Sequence, residues 1–206
     1  MKSAVTFRKF SSAGTDWAAW ILGIGLGLTL ALQATTMRHS DLTSVYAVVA
    51  SVSRLAALTG TYFAIVGIFL VARIPWVERG VGHDRLVTWH RKLGPWSLYL
   101  IGFHVLFIVL SFAGQDHVAL AVEMWRMLAN YDWMWWALAG FILMVAAGVT
   151  SYKKARAKMS YETWWTVHVL TYSAIAASFM HQVINGQMFI GHPLNRAYWT
   201  FLYVAM

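Results

Sequence analysis

The sequence predicts an all-α membrane protein, a bundle of six transmembrane helices whose sixth is cut short. Three observations carry that expectation. Hydrophobic residues fill 59% of the 206 positions and charged residues only 12%, against the roughly 25% charge that wets a soluble domain. Apolar runs near the bilayer-crossing length of about 20 residues recur along the chain. Lys and Arg gather in short tracts between those runs, where positive charge marks cytoplasmic loops.

Residues 1–16 form a short basic segment (Lys2, Arg8, Lys9) expected at the cytoplasmic face, and residues 17–206 the membrane domain. The first apolar run covers 17–33. Basic residues ahead of an apolar stretch also describe a signal peptide, but this run is long enough to span and no convincing cleavage site follows it. The second run, 55–74, is entered through a weakly amphipathic stretch at 42–52 and ends near Pro75, which suits a helix end. A charged loop follows, with Glu78, Arg79, Asp84 and Arg85.

The third run is 93–112, with helical pattern starting near Asp84 and a candidate kink at Gly94-Pro95. Residues 114–131 make a longer connection expected along the interface. The fourth run, 133–150, is stopped by Lys153, Lys154, Arg156 and Lys158. The fifth is 163–183, followed by a turn through Gly186 and Gly191. The last, 197–206, has half the length of a span, so the sequence is expected to be cut inside a sixth helix.

Six spans with both termini cytoplasmic put every basic loop on one side. Trp17, Trp76, Trp133, Trp164, Trp165 and Trp199 at the run edges fit an interfacial aromatic belt. The formal net charge of +8 does not point to nucleic acid, because its carriers sit between apolar segments and no separate basic domain exists. Cysteine is absent, which removes disulfides, thiolate metal sites and thiol catalysis. Histidine is left as the principal candidate metal ligand.

Four of the 8 histidines lie within or at the ends of spans: His90 and His104 on the third, His168 and His181 on the fifth. Ionisable residues in spans are rare and usually mark a functional site. A single one reads more readily as a satisfied core residue; four, paired on two helices and matched in depth, do not. His90 and His104 are separated by a rise of about 21 Å, and His168 and His181 by about 19.5 Å, at 1.5 Å per residue. In the six-span topology these two helices run parallel, so His90 lies level with His168 near the cytoplasmic face and His104 level with His181 near the outer face. Each level can hold one haem iron between two imidazoles, with the porphyrin in the apolar slot between helices.

On an ideal helix His90 and His104 differ by about 40° and share a face, whereas His168 and His181 differ by about 140°. Aiming both rings at one partner therefore requires a change of winding, a helix crossing or laterally offset haems. Arg54, at the outer end of the second span, is the candidate for the outer haem propionates, set against simple snorkelling to the interface. Arg91 and Lys92 are candidates for the inner propionates, set against ordinary positive-inside charge. His39, His83, His117 and His192 read as solvated loop residues.

The pattern of His90 and His104 on one span with His168 and His181 two spans later resembles the ferric reductase and NADPH oxidase transmembrane family. Ser53-Arg54-Leu55 opening the second span also fits, as do the stretch from Ala72-Arg73-Ile74-Pro75-Trp76 to Arg79, Asp84-Arg85-Leu86 and His90-Arg91-Lys92-Leu93-Gly94. These stretches are similar to the bacterial, ferredoxin-reductase-like branch. The resemblance implies a six-helix bundle with two haem b groups, pairing His90 with His168 and His104 with His181. It also implies a multi-pass cell-membrane oxidoreductase, N-terminus cytoplasmic, that carries electrons outward to dioxygen or ferric iron. In such proteins a cytoplasmic dehydrogenase portion binding FAD and NAD(P)H follows the sixth helix. No G-x-G-x-x-G after a strand occurs here, so the donor is either a further part or a separate flavin dehydrogenase partner. The nearest alternative is a stand-alone haem b subunit that passes electrons from a flavoprotein or quinol to a periplasmic enzyme. A non-redox transporter or scaffold is the alternative of another class.

Overall fold

The computed structural model describes residues 12–206. Of the expected N-terminal segment, 1–16, all but its last residues lie outside that range. Nine α-helices and one short 3-10 turn, His39–Leu42, follow one another, and there is no strand among the described residues. Five helices are long and apolar enough to cross a membrane: α1 (Ser12–Thr35), α2 (Val45–Val71), α4 (His83–Asp116), α6 (Met134–Ser151) and α8 (Tyr161–Asn185). They coincide with the first five predicted runs, so the chain is an all-α membrane protein. The sixth run falls on α9 (Pro193–Val204), whose 12 residues rise about 18 Å, short of the ~30 Å hydrocarbon core.

Local sequence sets the boundaries. The Ser44 hydroxyl accepts the Ala47 N–H and caps α2, and Ser160 does the same for α8 through Thr163. Pro75 opens the short α3 (Pro75–Val81) at its first turn, where its missing N–H has no cost. Gly82, at φ 94°, turns the chain from α3 into α4. α4 begins at His83, as its early pattern predicted, and continues through Pro95. The connection between α4 and α6 holds α5 (Leu120–Asn130), and the basic tract after α6 holds α7 (Lys153–Arg156).

Two antiparallel pairs dominate the packing: α2 on α4, and α6 on α8. The first pair is joined by four rungs. Ser111, His104, Ser97 and His90 of α4 each donate a side-chain hydrogen bond to a carbonyl of α2, on Tyr46, Ser53, Gly60 and Gly67 respectively. Each rung lies seven residues further along α2 and seven back along α4, the repeat that keeps one seam of two helices in register. A Cβ on Gly60 would come within 2.9 Å of Ile101 Cγ1 and 3.0 Å of Leu100 Cβ and the Ser97 carbonyl. Only glycine lets the helices approach this closely there.

The second pair has its own close approach, at Gly140, where a Cβ would meet the Ala174 carbonyl at 2.6 Å. α4 and α8 barely touch directly, which leaves a gap between the two helices that carry the histidines. One tryptophan departs from the expected interfacial belt. Trp199 is fully buried and donates its Nε1–H to Gln182 Oε1 at 2.7 Å. An internal acceptor for the indole N–H removes the reason to stay at the water boundary.

Candidate metal centre

Each of the four span histidines is brought to the gap between α4 and α8, and they fall into the two expected levels. At one level the His90 and His168 rings stand 6.0 Å apart between centroids, with an interplanar angle of 76°. Two imidazoles sharing one first-row metal at about 2.0–2.1 Å per nitrogen have centroids roughly 6 Å apart. At the other level His104 and His181 line one cavity of about 230 Å³. Arg54, Phe141, Met144 and Gln187 are among the other side chains on its wall.

The second nitrogen of each ring decides which one is left to coordinate. His90 Nδ1 lies 2.9 Å from the Gly67 carbonyl. His104 Nδ1 lies 3.1 Å from the Ser53 carbonyl and 3.0 Å from Ser53 Oγ. A carbonyl only accepts, so both rings carry their proton on Nδ1 and present Nε2. Ser53 Oγ returns a hydrogen bond to the His104 carbonyl at 3.2 Å, which ties that rung twice. His168 Nδ1 lies 3.2 Å from Ser151 Oγ, and Trp164 stacks on its ring at 5.1 Å and 20°. His181 Nδ1 is buried without a hydrogen-bond partner. His90, His104 and His168 thus show the pattern of metal-ligating histidines, one nitrogen tied and the other free, and His181 lacks that tie.

Among the described residues no three His, Asp or Glu side chains converge. A metal caged wholly by side chains finds no place among them. Two imidazoles facing one another suffice for haem, whose porphyrin supplies the other four ligands, so the donor set fits that group.

Arg54 is the propionate candidate that reaches the site. Its Nη1 donates to Gln187 Oε1 at 2.9 Å and lies 3.7 Å from Asp41 Oδ1. Gln187 Nε2 in turn donates to Asp41 Oδ2 at 2.6 Å. Burial acts to raise the Asp41 carboxyl. The Arg38 backbone N–H, the Gln187 amide and the Arg54 and Arg38 charges outweigh it and hold the group below the ordinary carboxylate range. Arg91 and Lys92 follow His90 on α4 and are exposed; the structure gives them no contact with the His90–His168 pair.

Of the remaining histidines, His39, His117 and His192 are exposed. His83 opens α4 and lies 3.6 Å from Glu78 Oε1. Sequence reasoning named Ser53 only as part of the resemblance and passed over Gly67 and Ser151, because a carbonyl or a lone serine has no pattern until its partner helix is known. It also passed over Trp164, read as interfacial, and the Asp41–Gln187 pair, whose members are far apart in the chain. Although their positions on α8 differ by about 140°, His168 meets His90 and His181 lines the cavity with His104.

A family model described as ferric reductase like transmembrane component matches residues 56–179. The matched stretch holds His90, His104 and His168 and ends just before His181. Comparison with curated proteins and with solved structures yields no match.

Proposed function

The chain belongs to the ferric reductase like transmembrane family, a family of transmembrane electron-transfer components. From that premise we propose that it carries electrons outward through two haem b groups. The donor would be a cytoplasmic flavin dehydrogenase domain or subunit using NAD(P)H, and the acceptor dioxygen or ferric iron at the outer face. The observation that carries this reading is the His90–His168 pair, 6.0 Å between ring centroids, on helices otherwise held apart.

In this reading His90 and His168 hold the inner group, and His104 and His181 the outer one. Haem, when bound, supplies a one-electron carrier at each level. The protein's residues do the rest. Gly67 and Ser53 keep Nδ1 of the α4 ligands protonated, so that Nε2 faces the gap. Arg54, seated by Gln187 and Asp41, holds positive charge on the outer cavity wall, where a carboxylate needs a partner. Arg91 and Lys92 would offer the same to the inner group's propionates. Residues 1–16 would lie at the cytoplasmic face, ahead of a membrane domain from residue 17 onward, with the basic loops on the same side.

A reduced-minus-oxidised spectrum of the purified chain tests this. The expected result is b-type bands with two haems per chain. Protein that folds, spans the membrane and carries no haem would refute it and leave the non-redox alternative.

A further inference from the structure

The α2–α4 seam has more regularity than packing alone requires. Two of its four rungs end on candidate ligands, His104 and His90, and the rung between them is Ser97 to Gly60 at 2.8 Å. The carbonyls that receive the imidazole protons are backbone atoms, so no side-chain change can remove them. Their distance from the rings is set by how closely α2 approaches α4. Gly60 sits midway between Ser53 and Gly67, where a Cβ would meet Ile101, Leu100 and the Ser97 carbonyl of α4 at 2.9–3.0 Å.

We infer that Gly60 is a positioning residue for both α4 ligands: the close helix approach it permits holds the His90 Nδ1–H on the Gly67 carbonyl and the His104 Nδ1–H on the Ser53 carbonyl. The inference rests on the two-haem reading above and deepens it. An imidazole that donates a strong Nδ1–H bond is a more basic ligand, and a more basic ligand favours the oxidised iron. Widening the seam weakens both bonds together and raises both midpoint potentials. The α8 ligands do not share this control, since His168 relies on Ser151 and His181 has no partner.

The size of the effect follows from one weakened hydrogen bond per level, a change of about three- to tenfold in the reduced-to-oxidised ratio at fixed potential. Local substitutions should separate the levels. A Cβ on Gly67 would lie 3.6 Å from His90 Nδ1, an ordinary van der Waals contact, so it takes the further methyl groups of Gly67→Val to crowd the inner ligand, and that ligand alone. Ser97→Ala removes the middle hydrogen bond without adding volume and leaves the helix spacing in place.

The test is potentiometric titration of the purified full chain, paired with the low-temperature EPR signals of the oxidised protein, for Gly60→Ala, Gly67→Val and Ser97→Ala. The expected result is an upward shift of both potentials in Gly60→Ala, of the inner one alone in Gly67→Val, and of neither in Ser97→Ala. Where Gly60→Ala does not fold, Gly67→Val decides: an unmoved inner potential, or an outer one that moves with it, overturns the inference. A folded Gly60→Ala protein with unchanged potentials, or with one level moved, overturns it equally. A wild-type chain without haem bands would instead sink the two-haem reading itself.

Discussion

Replacing His104 with alanine should remove one haem and spare the other. The two ligands on α4 are separated by about 21 Å along the helix axis, well beyond the 7–10 Å within which substitutions usually couple. The inner pair keeps every contact it has: the 6.0 Å ring spacing, the Gly67 carbonyl on His90 and Ser151 on His168. The substitution itself costs the contacts of His104 Nδ1 with Ser53, about 1 kcal/mol apiece. The bond from Ser53 Oγ to the His104 backbone carbonyl survives. The fold should therefore hold. Haem per chain, read by pyridine haemochrome, is expected to fall by half, and the potentiometric titration to collapse from two waves to one. His181→Ala should give the same values, and the double variant should lose no more than either single one, because the pair acts as a unit. Folded variants that lose both haems, or neither, would refute the assignment of His104 and His181 to one level.

Three further expectations concern other parts of the structure. Trp164→Ala removes the stack on His168 and the ring beneath the Arg156 guanidinium, 4.9 Å away; the inner potential should move and the outer stay, with Trp164→Phe restoring most of the difference. Gly140→Val forces a side chain against the Ala174 carbonyl and should destabilise the chain by about 1–3 kcal/mol in detergent unfolding. Gly27→Ala, with nothing within 4 Å, should serve as a silent control. Asp41 titrates below the ordinary carboxylate range in the folded chain, so its contribution is complete above that range and is lost as pH falls through the folded value. The melting temperature should drop at acid pH more steeply in wild type than in Asp41→Asn, and parallel curves would refute that role.

Much of this architecture was legible because lipid imposes simple rules. Spans must be long, apolar and helical, so the first five runs located α1, α2, α4, α6 and α8. A buried imidazole is rare enough to stand out, so His90, His104, His168 and His181 could be found without any partner. What stayed hidden depends on which helices meet. Ser53, Gly60 and Gly67 are unremarkable small residues until α4 is laid against them. Gln187 and Asp41 carry meaning only once the turn after α8 and the loop before α2 converge on Arg54. Trp199 was misplaced for the opposite reason: an indole at a run edge resembles an anchor, and only an internal acceptor such as Gln182 reveals otherwise.

The seven-residue seam also bears on how such a chain can change over generations. Substitutions on the lipid-facing sides of α2 and α4 leave the rungs alone. A single insertion or deletion between Ser53 and Gly67 turns everything beyond it by about 100°, which would strand one histidine while its twin stayed seated. Length variation in this region would thus have to come in whole seven-residue steps made in α2 and α4 at once, with a matching step in α8 to keep His168 and His181 level with their partners. Each such step would add a rung and move the two levels about 10.5 Å further apart.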